Sequence, residues 1–277
     1  MKPPSSQTTS VLVDRAALAA RRRRSREDAL FLHNAALDEV QDRLSMVNRS
    51  FTDIAVVTPF PRIWDEAFAG ARMVGDDDVL ALPETSCDLV VHAMALHWAN
   101  DPVGQLIQCR RALRPDGLLL AICLGGQTLS ELRAVLAQAE AEVTGGLSPR
   151  IAPMGEIRDL GALLQRAGLA LPVADNLSLT AEYRDLFHLM HDLRAMGETN
   201  ALSARLRRPT RRAVFDRAAA LYTEQHSTPE GRLPATFELI CLTGWAPDES
   251  QPKPLRPGSA QMRLAAALGS EEKGLPD

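Results

Sequence analysis

The sequence predicts an α/β protein built on a doubly wound, mainly parallel β-sheet. Apolar runs such as 87–94 (CDLVVHAM) and 118–124 (LLLAICL) are typical of strands buried on both faces. These runs alternate with amphipathic helical segments, and Gly or Pro turn signals separate them. A chain of 277 residues with 45% hydrophobic and 24% charged residues is long enough for one large domain of this class.

The first fifty residues predict a helical arm (1–50) ahead of the sheet. Residues 1–10 are polar, and we expect them to be frayed. From Val13 to Val47, apolar residues recur at helical spacing, which predicts one long or two short helices. The block Arg21–Arg24 is either a solvated helix face or a docking site for an acidic partner or a phosphate-bearing ligand.

The sheet is expected to begin with two short strands. Asp53–Thr58 is β-branched and apolar, and Pro59 and Pro61 end it as a turn. Trp64–Ala69 has room for one or two helical turns. Ala71–Val74 is the second strand, ending at a glycine and an acidic run.

The middle of the chain predicts the centre of the sheet. Cys87–Met94 is a buried strand, and Pro102–Leu113 is an amphipathic helix stopped by a turn over Arg114–Gly117. Leu118–Leu124 is the next buried strand, and Leu129–Glu142 is a helix. We expect the two strands to be adjacent and central.

After residue 146 the pattern changes. Glu156–Ala167 is a helix, and Leu171–Leu179 is an extended strand. Tyr183–Met196 and Pro209–Gln225 are two further helices. Thr236–Trp245 is the final strand, so the two late strands predict an antiparallel pair at the edge of the sheet.

These elements predict a domain organisation of three parts. The arm precedes an α/β domain over residues 51–246. Within it, residues 183–233 form a helical insert, which we expect to cover the carboxyl edge of the sheet near His97 and Trp98. Residues 247–277 are Pro-rich and polar and predict an extended tail.

Charge and composition exclude several classes of protein. A net charge of −4 disfavours a general nucleic-acid binder. The apolar runs are far shorter than the ~20 residues that span a bilayer, so no transmembrane segment is expected. The four cysteines lack metal-ligand spacing, which predicts buried reduced thiols and no metal. Reduced thiols suit a cytoplasmic protein, and we expect contact with a membrane only through a partner.

Five spans carry a family resemblance, and they include the segments LHWAND, GGLSPRIAP and MGETN. The spans are 76–102, 113–133, 145–168, 189–202 and 233–245. Together they resemble the class I S-adenosylmethionine (SAM) methyltransferase superfamily. More narrowly, they resemble the branch that contains the mitochondrial complex I assembly factor with a methyltransferase-like domain and its alphaproteobacterial relatives. The resemblance covers residues 11–270.

This resemblance implies a Rossmann-like methyltransferase sheet, SAM as cofactor and a protein client, with a subunit of respiratory complex I as the implied target. It also implies arginine hydroxylation rather than methylation. Two hypotheses follow. In the first, the fold binds a client and its SAM site is degenerate. In the second, the protein is an active SAM-dependent methyltransferase or arginine-modifying enzyme that uses an unconventional pocket. Titration with SAM discriminates between them.

The chain departs from the family pattern after the first strand. Family members have a glycine-rich turn there, because only a bare backbone approaches the cofactor closely. Here the segment 58–62 reads Thr-Pro-Phe-Pro-Arg, and its two prolines lack backbone donors. The interval from Thr58 to Asp76 is also too short for the family's second strand, which bears the ribose-binding acid, and its third. We therefore expect fewer than seven strands, and SAM binding that is weak or absent.

The resemblance also assigns candidate cofactor contacts. Asp76, Asp77 and Asp78 lie where the family places the acid that meets the adenine edge after the third strand. The alternative is an acidic loop at a strand end. His92 and Ala93, at the end of the next strand, are the remaining candidate contacts, and His92 is also consistent with a buried, hydrogen-bonded residue.

The catalytic residues are left unassigned, with His97 and Trp98 as the candidates. They follow a central strand at the carboxyl edge, where doubly wound folds bind ligands. Histidine titrates near neutral pH, and tryptophan stacks on flat ligands. The alternative is a packing motif at the sheet edge. The segment Gly125–Thr128 is either a close-approach turn for a substrate or a strand-to-helix turn capped by Thr128.

Overall fold

The computed structural model describes residues 11–252. The helices in this range are α1 (Arg15–Arg22), α2 (Phe31–Met46), α3 (Pro61–Asp65), α4 (Pro102–Ala112), α5 (Ser130–Thr144), α6 (Ile157–Arg166), α7 (Leu186–Ala195) and α8 (Arg212–His226). The strands are β1 (Ile54–Val57), β2 (Arg72–Val74), β3 (Cys87–Ala93), β4 (Leu113–Leu124), β5 (Ala170–Tyr183) and β6 (Leu233–Trp245). Short 3-10 turns cover Glu27–Ala29 and Leu96–Trp98.

The strands form a mixed sheet in the order β2-β1-β3-β4-β6-β5. The β1–β2, β1–β3 and β3–β4 pairs are parallel, whereas β6 is antiparallel to both β4 and β5. This confirms the predicted class, with β3 and β4 adjacent and central and β6 next to the edge. The described residues contain six strands, one fewer than a complete seven-stranded methyltransferase sheet.

The central strands are apolar on both faces because helices cover both faces. Leu89 and Val91 of β3 pack in one core cluster, which α2, α5, α7 and α8 share. Val90, which points to the opposite face, packs in a second cluster with α4 and α6. In β4, Leu118 and Leu119 divide between the two clusters in the same way. This alternation with a period of two is the pattern of a strand between two layers.

A short crossover decides where β2 lies. Residues 58–71 contain only α3, which starts with Pro61 at its first turn and buries Trp64 completely. A crossover of this length suffices to place one parallel strand beside β1. As a result, β2 pairs directly with β1, and Asp76, two residues beyond β2, lies close to the end of β1.

The N-terminal segment folds as two helices. Asp14 caps α1 by accepting a hydrogen bond from the amide of Ala17 at 3.0 Å. Leu18 of α1 is buried in a small cluster with Trp98 and Leu202. Helix α1 therefore lies against the carboxyl edge of the sheet, while α2 packs on one of its faces.

One element differs from its predicted bounds. The predicted turn over Arg114–Gly117 is part of β4, which begins at Leu113 and bends at Asp116, where φ is +58°. By its internal contacts the chain divides into two compact units, 1–247 and 248–277. In the second unit the described residues make a local turn in which Asp248 accepts a hydrogen bond from the Ser250 amide at 2.9 Å. Residues 1–10 and most of the predicted tail lie outside the described range.

Within residues 11–252, no group of three or more His, Cys, Asp and Glu side chains is placed to hold a metal ion. All four cysteines are buried free thiols. None of the described helices combines the length and the apolar character needed to cross a membrane.

The position of each leucine relative to the core predicts how much its substitution lowers the free energy of unfolding. Leu119 of β4 is fully buried, whereas the side chain of Leu147 is 71% exposed. Leu119→Ala should lower the free energy of unfolding by about 2–5 kcal/mol because it leaves a cavity. Leu147→Ala should change it by less than about 0.5 kcal/mol. Urea denaturation of both variants measures the difference, and equal effects would contradict the placement of β4 at the centre.

Candidate functional site

The ends of β1, β2, β3 and β4 meet at the carboxyl edge of the sheet, where doubly wound folds bind ligands. Two cavities lie there. The first, which we call the α1 cleft, has a volume of about 550 Å³ and lies between α1, the turn 58–61 and the residues after β2. The second, which we call the Glu198 cavity, has a volume of about 390 Å³ and lies between Trp98, the start of α5 and the helical insert.

Asp76 is the most strongly held residue of the α1 cleft. Arg22 donates from Nη1 to both carboxylate oxygens, at 2.7 and 2.9 Å, and Arg15 donates to one of them at 3.2 Å. The side chains of Asp76 and Arg22 are each 9% exposed. Burial alone would raise the pKa of Asp76, but the charges and hydrogen bonds of Arg22 and Arg15 outweigh it and hold the pKa below its ordinary value.

The turn after β1 offers no free backbone donor. The Thr58 amide donates to the carbonyl of Val74 at 2.8 Å, and the Phe60 amide donates to the Thr58 hydroxyl at 3.2 Å. Pro59 and Pro61 have no amide hydrogen. A ligand in the α1 cleft therefore finds neither a bare backbone nor a spare N–H group along this turn.

These residues do not fit SAM in the family's manner. Asp76 follows the strand beside β1, which is the position of the ribose-binding acid rather than the predicted position after a third strand. Its carboxylate is already neutralised by two arginines of α1, and a ribose hydroxyl would have to displace at least one of them. Phe60 stands where the family has glycine.

Two of the other candidate cofactor residues are exposed to solvent and two are fully buried. Asp77 and Asp78 are exposed, and Asp77 lines the α1 cleft. His92 and Ala93 have no exposed surface. His92 Nε2 is hydrogen-bonded to Gln105 at 2.8 Å, and burial lowers the pKa of its imidazole. Of these five candidates, Asp76 and Asp77 line one of the two cavities at this edge.

His97 and Trp98 meet at a carboxylate that sequence reasoning missed. Trp98 Nε1 donates to Glu198 Oε2 at 2.7 Å, and His97 Nε2 lies 3.4 Å from the same oxygen. The amide of Leu124, at the end of β4, lies 3.5 Å from His97 Nδ1. With Nδ1 as the acceptor, Nε2 carries the proton and donates to Glu198.

The pKa of the Glu198 carboxyl lies below its ordinary value in this environment. Burial alone would raise its pKa, but the hydrogen bond from His97, the nearby charge of Arg22 and the Trp98 indole together lower it. Glu198 comes from the insert and is one hundred positions from Trp98. The sequence signal for Glu198 is the segment MGETN, which contributes to the family resemblance and by itself indicates no role.

The glycines after β4 serve packing. A Cβ at Gly125 would collide with Ile240 and Glu238 of β6, and one at Gly126 would collide with the carboxylate of Glu156. Thr128 is not the cap of α5, because its hydroxyl donates to the carbonyl of Glu238 at 3.3 Å and accepts from the Glu238 amide at 3.0 Å. This segment ties β4 to β6.

The ion pairs of Asp76 predict that the same substitution at two neighbouring aspartates changes the free energy of unfolding by different amounts. Asp76→Asn leaves the buried Arg22, whose Nε and Nη2 already lack partners among the described residues, without its counter-charge. It should lower the free energy of unfolding by roughly 3–5 kcal/mol. Asp77→Asn, the same change at an exposed position, should cost less than about 0.5 kcal/mol.

The same variants predict a pH dependence. Because the folded pKa of Asp76 lies below the ordinary value of 3.8, its contribution is present above about pH 4 and is lost as the pH falls through the folded pKa. Urea denaturation of the wild type and Asp76→Asn should show a gap that narrows on acidification. A gap that widens would contradict the ion pairs.

Comparisons with known proteins agree with this architecture. A family described as a methyltransferase domain matches residues 62–121. The mitochondrial arginine hydroxylase NDUFAF5 of Rattus norvegicus is 41% identical over 192 residues, which are 68% of this chain and 55% of that protein. The chain thus spans about half the length of this relative. A malonyl-[acyl-carrier protein] O-methyltransferase of Methylovorus sp. (strain MP688) is 33% identical over 232 residues, or 84% of this chain and 71% of that protein.

One solved structure with a similar fold is the 1,6-didemethyltoxoflavin-N1-methyltransferase of Burkholderia thailandensis with bound S-adenosylhomocysteine. It has a TM-score of 0.43 and 12% identity, and covers 90% of this chain and 94% of that one. The sequence relatives are decisive, because one methyltransferase is matched over more than two thirds of its length. The chain belongs to the class I SAM-dependent methyltransferase superfamily, and over about half of their length the NDUFAF5 proteins are among its relatives.

Proposed function

We propose that this protein is a methyltransferase-like factor of the complex I assembly type, which binds or acts on a protein client and has a degenerate SAM site. One observation carries the second half of the proposal. The carboxylate in the position of the ribose-binding acid, Asp76, is held by Arg22 and Arg15 of the protein's own α1. The donor-free turn 58–61 supports it.

The client half of the proposal rests on the relatives. Proteins named arginine hydroxylase NDUFAF5 are 38–41% identical to this chain over about 190–200 of its residues. By analogy, the client presents an arginine and is a subunit of respiratory complex I. The protein acts in the bacterial cytoplasm and reaches the membrane only through this client.

A second candidate function is that of an active SAM-dependent enzyme with an unconventional pocket. The observation that favours it is the α1 cleft, whose volume of about 550 Å³ lies within the usual range of small-molecule sites, roughly 300–1,000 Å³. In that case α1 itself, through Arg15 and Arg22, would supply contacts that the glycine turn supplies elsewhere.

A calorimetric titration with SAM separates the two candidates. We expect a dissociation constant in the millimolar range or weaker, because the turn has no free donors and Asp76 is neutralised by α1. Binding tighter than ~50 μM, well inside the micromolar regime, would favour the enzyme. Repeating the titration with Asp76→Asn and Asp77→Asn shows whether any residual binding uses Asp76.

Deletion of the gene tests the client assignment. Membranes of the deletion strain should lose NADH:ubiquinone oxidoreductase activity, and native gels should lack assembled complex I, because a subunit remains immature. Succinate oxidation in the same membranes is the internal control and should not change. Restoration by the wild-type gene completes the test, and normal complex I in the deletion strain would contradict the assignment.

A further inference from the structure

The Glu198 cavity combines apolar walls with one buried carboxylate. Its volume of about 390 Å³ is within the range of small-molecule sites, roughly 300–1,000 Å³. The apolar side chains that line it come from α2, β4, α5, α7, α8 and β6, from Leu129 just before α5 and from the segment 151–154. They include Leu132, Leu193, Phe215 and Phe237. Such walls suit an alkyl chain rather than a fully polar ligand.

Glu198 has unused hydrogen-bonding capacity inside this cavity. Both hydrogen bonds to its carboxylate, from Trp98 and His97, end on Oε2. No residue in the range 11–252 donates to Oε1, although the side chain is only 9% exposed. A buried carboxylate with a free oxygen strongly favours a charged donor, because charge-assisted hydrogen bonds are stronger than neutral ones.

The arginines near Glu198 do not satisfy it. Arg22, whose charge lowers the pKa of Glu198, donates its hydrogen bonds to Asp76 instead. Arg21 donates to the carbonyl of Asn200 at 3.0 Å. Arg150, on the cavity wall, is paired with Glu140 at 2.6 Å. None of these arginines donates a hydrogen bond to Glu198, so its free oxygen is left for a ligand to use.

We propose that the Glu198 cavity binds the side chain of a client arginine, with the guanidinium on Glu198 and the alkyl stem along the apolar walls. The proposal rests on the proposed function, since it identifies the client group that enters the protein. A guanidinium is planar and stacks on aromatic faces, and Trp98, which donates to Glu198, lines the same cavity. Glu198 is then the residue that selects a cation.

Charged side chains at the rim of the cavity would also select the residues on either side of the client arginine. Arg24 and Arg194 line the cavity, are exposed, and make no ion pair with any residue that the structure describes. Two free cations at the mouth favour carboxylates on the segment that carries the arginine, through electrostatic complementarity. The client segment is therefore an arginine with acidic neighbours.

The test uses capped amino acids as probes. N-acetyl-L-arginine amide should bind the wild-type protein and shift the indole N–H resonance of Trp98, which Trp98→Phe assigns. N-acetyl-L-citrulline amide has the same shape without the charge and should bind at least tenfold more weakly, as loss of a charge-assisted hydrogen bond implies. Glu198→Gln should weaken arginine binding by at least tenfold, whereas Glu230→Gln, at an exposed position, should leave it unchanged.

Two results would overturn the assignment. One is the absence of any Trp98 shift with capped arginine up to about 100 mM, far above the millimolar regime. The other is equal binding of arginine and citrulline, a comparison that stands on the wild type even if Glu198→Gln does not fold.

A separate experiment tests the rim. The peptide Ac-Glu-Arg-Glu-NH2 should bind more tightly than Ac-Lys-Arg-Lys-NH2, and the double variant Arg24→Ala/Arg194→Ala should abolish that preference.

Failure of this inference is distinguishable from failure of the proposed function. If the deletion strain lacks complex I but arginine and citrulline bind equally, only the cavity assignment is wrong. If capped arginine binds through Glu198 but complex I assembles normally without the gene, the cavity assignment stands and the client is a different arginine-bearing protein.

Discussion

The ion pair between Asp76 and Arg22 is the interaction on which the carboxyl edge of the sheet depends. It joins the residues after β2 to α1 and so holds α1 across the edge. From the same helix, Arg21 donates to the carbonyl of Asn200, which fixes the segment that contains Glu198. This buried pair thus forms part of the wall of the α1 cleft, and α1 also helps to shape the Glu198 cavity. The two cavities lie at the ends of different strands.

The position of this pair follows from the short connection between β1 and β2. Residues 58–71 contain only α3, so the next strand, β2, pairs directly with β1. Asp76 therefore lies at the end of the strand beside β1, and the family's second strand bears the ribose-binding acid. A buried carboxylate there needs a cation, since an unpaired buried charge costs several kcal/mol. A bound ligand cannot supply that charge through ribose hydroxyls, so the arginines of α1 are a structural requirement of this shortened sheet.

The strands could be predicted from the sequence because their signal is local. Cys87–Met94 is apolar on both faces and could only be a buried strand, and Thr236–Trp245 was recognisable in the same way. The site was less predictable because its contacts are distant in sequence. Asp76 was identified as an acid at a strand end, but nothing local showed that Arg22 would neutralise it. Glu198 reaches Trp98 only because the insert folds over the edge.

The two cavities differ in how their buried carboxylates are satisfied. In the α1 cleft, Asp76 is paired with two arginines of the chain itself, so this carboxylate needs no ligand to neutralise it. In the other cavity, Glu198 accepts two hydrogen bonds from neighbouring rings but keeps a free oxygen. Desolvation of an ionised group is costly unless a partner completes its hydrogen bonds. A ligand that supplies a charged donor would therefore complete the hydrogen bonds of Glu198, whereas Asp76 already has its partners.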